Sequence, residues 1–569
     1  MDFEYKIQGN VIFNNKLFCK TELENIVQRT KKYILTHCNT EMIAIAMPRS
    51  VFLLTSILTL LDCRIAYILI DVDLMPKERI DYILKDSGVH IVLTVSNFKY
   101  NFLGKQVIKV DEIEDSRCCV SDYRVSNALA YLLYTSGTTG HPKGVEISRK
   151  SLSNFIEGIT HIIQFNRSEK IVSFTSPSFD IFFLEAIMPL YFGMTVVLGS
   201  KQEINNPQNQ IQLIKSHKVN MIQITPSALR LLSKVDTELT FLSYVHTIMV
   251  GGEVFPQEIL GKLQLYPNLK IYNMYGPTET TIWSSVADLT TSDCVHLGAP
   301  ICNTEIMLLN QDLCVVDDEI EGEICISGLG LAERYHNNEK LTKEKFCALQ
   351  QPFNKTVYRT GDIGVVDGNG KLLYVGRNDN QIKFHGHRIE LEEIEATILS
   401  TEKVSIVVVC FDKESDQLIA FYSSKCRNLE ETFFQDMKAK LPRYMIPSKF
   451  IFVKEFIYTS NGKIDRDAVL NQYLKNLEID YNETEERNSV LNLISFAASK
   501  CLNVSKNLVF FDLSIEQLGF DSITYVEFIV ELEALLELDF DENILSIDNF
   551  ENLNQLYDYI LSLNDVRGV

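Results

Sequence analysis

The sequence predicts an α/β protein of several domains, and three observations carry that expectation. Helix-period stretches such as Thr21 to Thr36 alternate with short apolar runs such as Met42 to Ala46 and His90 to Thr94, the rhythm of strands joined by helices. Further apolar runs at Val219 to Ile224, Thr247 to Val250 and Leu269 to Asn273 are separated by helix-length segments, so their C-terminal ends can line one crevice. The chain of 569 residues exceeds what one core serves, and roughly two to four domains are expected.

Composition narrows the function classes. A net charge of −21 with no clustered Lys and Arg argues against a nucleic-acid surface. The thirteen cysteines lack CxxC pairs and His/Cys metal spacing, so a reducing compartment, the cytoplasm, is expected. The N-terminus MDFEYKIQGN has no basic segment leading into an apolar one, and the run Val51 to Ile70 is broken by Asp62 and Arg64, so neither secretion nor membrane spanning is expected.

The stretch Tyr134 to Val145, YTSGTTGHPKGV, follows an apolar β-rich run from Asn127 to Thr135, and a helix is expected from Ser151. Glycines at 137, 140 and 144 let backbone amides converge on an anion, while Ser136, Thr138 and Thr139 add hydroxyl donors and Lys143 adds charge. It is not a Walker loop, because Lys143 follows Pro142 and precedes Gly144 rather than a serine or threonine. At these residues the chain resembles the adenylate-forming enzymes, and within them the adenylation domains of nonribosomal peptide synthetases. The resemblance implies ATP bound at Thr135, Ser136, Gly137, Thr138, Thr139 and Gly140, with Lys143 catalytic.

Later segments extend it. Asn273-Met-Tyr-Gly-Pro-Thr-Glu-Thr-Thr281 puts a carboxylate after a Gly-Pro turn, suited to magnesium beside a phosphate. It resembles the family's adenine and magnesium motif, which implies nucleotide contacts at Asn273, Tyr275, Gly276, Thr278 and Thr280 and Glu279 as the Mg2+ ligand. In Tyr358-Arg-Thr-Gly-Asp362 the resemblance gives Asp362 the ribose hydroxyls, with Tyr374 and Arg377 beside the nucleotide. The polar, glycine-flanked segment Gly376 to Leu391 reads as a domain boundary. By the resemblance Asp379 is a hinge, His385 stands where relatives carry arginine, and Lys463 of Asn461-Gly-Lys-Ile-Asp-Arg466 bridges the substrate carboxylate and the nucleotide oxygens.

A charged linker, Gln472 to Arg487, leads to a helical stripe in Asn488 to Leu502 and then to Leu518-Gly-Phe-Asp-Ser-Ile523, where a serine opens a second helix. LGFDS resembles a carrier's phosphopantetheine attachment site, which makes Ser522 the bearer of the thiol arm. Residues 488 to 569 hold fourteen Asp and Glu against three Lys and Arg, more than half of the chain's net charge, so an acidic carrier meeting basic partners is expected. The organisation implied is a large multi-sheet α/β adenylation core over 1–376, a mobile α+β C-terminal subdomain over 377–471, a linker over 472–487 and an all-α four-helix carrier over 488–569.

Carried over from the family, the substrate pocket comprises Asp180, Ile181, Leu184, Gln223, Met249, Gly251, Met274, Ile282 and Trp283. A buried Asp180 needs a cation, which an α-ammonium group supplies. The apolar members resemble a glycine-selecting set. The resulting expectation is an amino-acid-activating ligase. It uses ATP and Mg2+ to form glycyl-AMP and moves the acyl group to the phosphopantetheine thiol on Ser522, as a loading module for peptide or related secondary-metabolite synthesis. Its partners would be a phosphopantetheinyl transferase, a downstream enzyme acting in trans and an MbtH-like activator. No condensation segment is expected before Met1. An acyl-CoA ligase with a fused carrier and an inactive carrier-docking protein are the alternatives; retention of Lys143, Glu279, Asp362 and Lys463 weighs against the second.

Overall fold

The computed structural model describes the chain except residues 1–5, 115–126, 139, 352, 385, 414–416, 425–428, 455, 459–463, 481–489, 503–508, 510, 512–514, 516, 517, 519, 521, 537, 539, 542–545, 568 and 569. It forms two compact units, one of Met1–Ser136 with Pro142–Arg388 and one of Gly137–His141 with Ile389–Val569.

Among the described residues, the first unit contains three large sheets. A nine-stranded sheet runs in the order Ala299–Pro300, Ser285–Asp288, Lys270–Tyr275, Thr247–Gly251, Met221–Ile224, Lys170–Ser173, Thr195–Leu198, Asn10–Phe13, Lys16–Phe18. The six strands from Lys270–Tyr275 through Asn10–Phe13 are mutually parallel. A seven-stranded sheet runs Arg334–Tyr335, Lys143–Ser148, Leu129–Thr135, Ala66–Ile70, Met42–Ala46, Ile91–Thr94, Gln106–Lys109. Strands such as Ile91–Thr94 and Met221–Ile224 are buried throughout, as expected for parallel sheets covered on both faces. The third sheet is antiparallel, built around the long strand Lys355–Val366.

Helices cover the sheets by pattern. Lys20–His37 buries Leu23, Val27, Thr30 and Ile34, one stripe at three- and four-residue spacing. Val51–Cys63 is buried nearly all round, which is why its sequence shows no polar face. Its start is capped by the Ser50 hydroxyl, which accepts from the Leu53 amide at 3.3 Å.

In the second unit a three-stranded sheet, Ile406–Asp412, Gln417–Ser423 and Lys449–Phe452, packs with helices that include Leu391–Leu399 and Arg466–Asp480. Beyond these come the helices Val490–Cys501, Ser522–Leu536 and Leu553–Arg567 and a short turn of 3-10 helix at Ile547–Asn549. Ile494, Ala497, Tyr525, Phe528, Leu553 and Leu556 meet in one core there, so the stripe expected from Asn488 to Leu502 faces inward at Ile494, Ala497 and Ala498, whereas Leu491 is exposed. No helix among the described residues is long and apolar enough to cross a membrane.

One local expectation is corrected. The glycine-rich loop does not lead from a strand straight into a helix: it joins Leu129–Thr135 to Lys143–Ser148, which pair antiparallel with Thr135 opposite Lys143. The helix begins only at Arg149, where the Ser148 hydroxyl accepts from the Ser151 amide at 3.1 Å. Gly144, Val145 and Ile147 are buried on a strand whose remaining residues, Lys143, Glu146 and Ser148, are polar, and that composition hid its β character.

Candidate functional site

The C-terminal ends of the parallel strands bring the expected residues together. Gln223 lies opposite Met249, and Gly251 opposite Met274, on three adjacent strands. After Tyr275 the chain turns through Gly276, where a Cβ would lie 2.6 Å from the Ser284 amide, so only glycine admits the return of the chain. A short 3-10 turn, Thr278–Thr280, presents Glu279. Thr281 and Ile282 then adopt φ values of 65° and 68°, a left-handed conformation costly for β-branched residues. Hydrogen bonds from Thr281 Oγ1 to the Gly330 carbonyl at 2.7 Å and from the Ser284 amide to the Tyr275 carbonyl at 2.7 Å hold it. This turn sets Trp283, 2% exposed, against the strand ends.

At the pocket end, Ile181, Leu184, Gln223, Met249, Met274, Ile282 and Trp283 are all buried. A Cβ on Gly251 would come within 2.8 Å of the Trp283 ring and 2.6 Å of the Met274 carbonyl, so the indole occupies the space that a side chain at 251 would need. Leu184 lies in a π-helical turn, Phe183–Ile187, an irregularity frequent at functional sites. Asp180 is buried, and its Oδ2 has no hydrogen-bond partner. Burial raises its pKa to about 6, against partial compensation from Thr278 and the Ile181 and Ile282 amides. Of the expected pocket residues Asp180 alone borders the adjoining cavity, which Tyr67, Tyr131, Phe179, Phe182 and Phe183 also line.

At the nucleotide end the charges are paired. Glu279 is fully buried; burial alone would raise its pKa, but Arg388, Lys143 and the Tyr335 hydroxyl overcome that and hold it at about 2. Arg388 Nη1 donates to Oε2 at 2.5 Å, Tyr335 Oη donates to Oε1 at 2.6 Å, and Lys143 Nζ stands 3.9 Å from Oε1. Asp362 is paired with Arg377 across adjacent strands and accepts from the Tyr275 hydroxyl at 2.7 Å. Arg377 also grips Asp379 through two nitrogens, at 2.6 and 2.8 Å. Lys383 lies 5.3 Å over the Tyr275 ring. The Asn273 amide donates to the His296 carbonyl at 2.8 Å, and Tyr374 is half-buried on the strand Leu372–Arg377.

The glycine-rich loop has mixed surroundings. Ser136 Oγ donates to the Arg388 carbonyl at 2.6 Å, and Thr135 Oγ1 is buried without a partner. The tip, Gly137–His141, clusters with the second unit: the Gly137 amide donates to Glu393 Oε2 at 2.9 Å, Gly140 takes φ 81°, and Thr138 is exposed. Thr139, His385 and Lys463 lie outside the described residues, and so does the side chain of Ser522, which opens the helix Ser522–Leu536. No cluster of three metal-ligating side chains occurs among the described residues. Glu279 offers a buried, ionised carboxylate, a chemistry that suits an oxygen-seeking cation such as Mg2+.

Tyr335, Tyr358 and Arg388 were not singled out in the sequence. Arg388 lay within the quoted boundary segment, flanked by the Gly386 turn, but nothing in that run tells which carboxylate it meets.

Comparison with known proteins matches residues 35–336 to the AMP-binding enzyme family and residues 501–560 to the phosphopantetheine attachment site. A dimodular nonribosomal peptide synthase of Bacillus subtilis (strain 168) is 35% identical over 445 residues, covering 75% of this chain and 18% of that protein. The chain spans less than half the length of curated relatives such as this one. Among solved structures, holo-PA1221, which contains adenylation and PCP domains bound to a vinylsulfonamide inhibitor, superposes with a TM-score of 0.79 at 21% identity, covering 94% of this chain and 90% of that one. A four-domain nonribosomal peptide synthetase bound to AMP and glycine, holo-AB3403, gives 0.60 at 25% identity, covering 98% of this chain and 42% of its own.

Proposed function

We propose, for a chain that belongs to the AMP-binding enzyme family and carries a phosphopantetheine attachment site, that it activates glycine as glycyl-AMP and transfers the acyl group to a thiol borne by Ser522. The cofactors of these two families are ATP with Mg2+ and covalent phosphopantetheine. Two observations support the reading: an Asp180 oxygen that is buried without a hydrogen-bond partner, and a set of buried apolar side chains in which Trp283 fills the space beside Gly251. An ammonium group supplies the missing cation, and the filled volume leaves no room for a side chain. A related synthetase fold that holds AMP and glycine supports the substrate assignment.

Adenylation requires a carboxylate oxygen to approach an α-phosphate, anion against anion. Lys143 and Lys463 would set positive charge beside the reacting oxygens, fixed before the reaction and so costing no rearrangement during it. Glu279 would hold Mg2+, whose contribution when bound is to neutralise phosphate charge. Asp362 would take the ribose hydroxyls, exchanging its present bond from Tyr275, and Asn273 and Tyr275 would flank the base. Asp379, gripped by Arg377, is the proposed pivot by which residues 377–471 present one face for adenylation and another for transfer. Phosphopantetheine on Ser522 supplies the accepting thiol. A phosphopantetheinyl transferase and a downstream enzyme acting in trans complete the cycle, with an MbtH-like activator and a cytoplasmic setting as further parts of the proposal.

Amino-acid-dependent exchange of labelled pyrophosphate into ATP tests this reading. Glycine should give the fastest exchange and alanine the next. Faster exchange with a large amino acid would overturn the pocket assignment, and exchange driven only by a fatty or aryl acid would overturn amino-acid activation.

A further inference from the structure

Glu279 is fully buried, and an ionised carboxylate there costs several kcal/mol if left without a cation. In this structure the cation in direct contact is Arg388, whose Nη1 lies 2.5 Å from Oε2; Lys143 stands farther off, at 3.9 Å from the other oxygen. Arg388 is not part of the element that carries Glu279. It sits on the two-stranded hairpin Gln381–Phe384 and His387–Glu390, just past Asp379, 109 residues along the chain from its partner.

Polar and aromatic contacts hold that hairpin, alongside the buried side chains of Phe384 and Ile389. The Gly386 amide donates to Glu253, the His387 and Phe179 rings pack edge-on with centroids 4.8 Å apart, and Lys383 lies over Tyr275. Arg388 itself is aimed by Gln381, whose Oε1 accepts from Nε at 2.6 Å, and by the Tyr358 hydroxyl 3.4 Å from Nη2. Magnesium binds carboxylate oxygen at about 2.0–2.1 Å. A divalent cation beside Glu279 would stand close to the Arg388 guanidinium, so the two positive charges compete for one buried carboxylate.

We propose that Arg388 is the resident counter-cation of Glu279 and exchanges with metal–nucleotide on that carboxylate. It occupies Oε2 whenever the metal is absent and gives it up when metal–nucleotide arrives. The inference rests on the reading of Glu279 as the metal ligand. Its consequence is that Glu279 is never stranded as a bare buried anion when the metal leaves with pyrophosphate. Arg388 thereby acts as a positioning residue that tunes metal affinity downward.

The test uses the full chain, Mn2+ as the metal probe and a non-hydrolysable α,β-methylene ATP analogue, with free Mn2+ read by electron paramagnetic resonance. Arg388→Met should tighten Mn2+–analogue binding about tenfold, the factor that ~1.4 kcal/mol of lost competition gives. Arg388→Lys should stay near wild type, and Glu279→Gln should weaken binding. A merely structural lesion would loosen binding, so the direction of the change separates the two roles. Unchanged or weaker binding in Arg388→Met, with Glu279→Gln weakened, overturns this inference alone. Unchanged binding in Glu279→Gln overturns the metal assignment and the inference with it. Should Arg388→Met not fold, Arg388→Gln keeps a hydrogen-bonding group without the charge and is read the same way.

Discussion

Glu279 and Asp180 are both buried carboxylates in the same unit, yet they lie on opposite sides of the ordinary carboxylate pKa. Burial works against ionisation in both. At Glu279 an arginine, a lysine and a tyrosine hydroxyl overcome it and hold the group at about 2. At Asp180 only neutral donors answer it, and the group rises to about 6 with one oxygen unpartnered. The difference teaches that burial alone does not set a site's charge: the cations the chain supplies do. Glu279 is an anion fixed by cations of its own chain, whereas Asp180 has no such cation, and the proposed function assigns that part to the substrate's ammonium group.

The contrast can be broken or sharpened in steps of decreasing size. Ser522→Ala separates both carboxylates from the carrier: covalent loading followed by intact-protein mass spectrometry should vanish while pyrophosphate exchange continues. At the nucleotide end, Glu279→Gln should slow exchange by roughly 10²–10³-fold, the range seen when one preorganised charge-stabilising group is lost. Lys463→Ala should slow it comparably but spare transfer from preformed adenylate; equal loss in both half-reactions would contradict a role confined to adenylation. Trimming Trp283 to alanine touches only the pocket end. It should raise exchange with alanine relative to glycine by roughly 10- to 200-fold, because apolar discrimination of one methylene amounts to about 1–3 kcal/mol.

Much of this was legible in the sequence, for local reasons. Met42–Ala46 forms the strand its apolar run predicts, and Gln223, Met249, Gly251 and Met274 fall on neighbouring strand ends in register. The strand Lys143–Ser148 was not legible, because its polar residues Lys143, Glu146 and Ser148 break any regular alternation and its partner is supplied by the hairpin. The left-handed turn at Thr281 and Ile282 contradicts the preference of β-branched residues and is imposed by bonds to distant backbone. Arg388 and Tyr335 reach Glu279 from 109 and 56 residues away, a meeting that only the folded chain reveals. A buried carboxylate announces that it needs a cation but not where the cation comes from.

The most direct test of that difference is the pH dependence of glycine affinity, measured by pyrophosphate exchange between pH 5 and 8 in the wild type and in Asp180→Asn. Asp180 has a raised pKa, so the empty pocket takes up a proton as pH falls through about 6, and a neutral carboxyl cannot pair with an ammonium. Apparent glycine affinity should hold steady above that pH and weaken about tenfold per unit below it, while Asp180→Asn should bind weakly at every pH without that slope. A wild-type affinity that stays flat down to pH 5, or a slope that survives in Asp180→Asn, would contradict the claim that the substrate's cation completes this carboxylate.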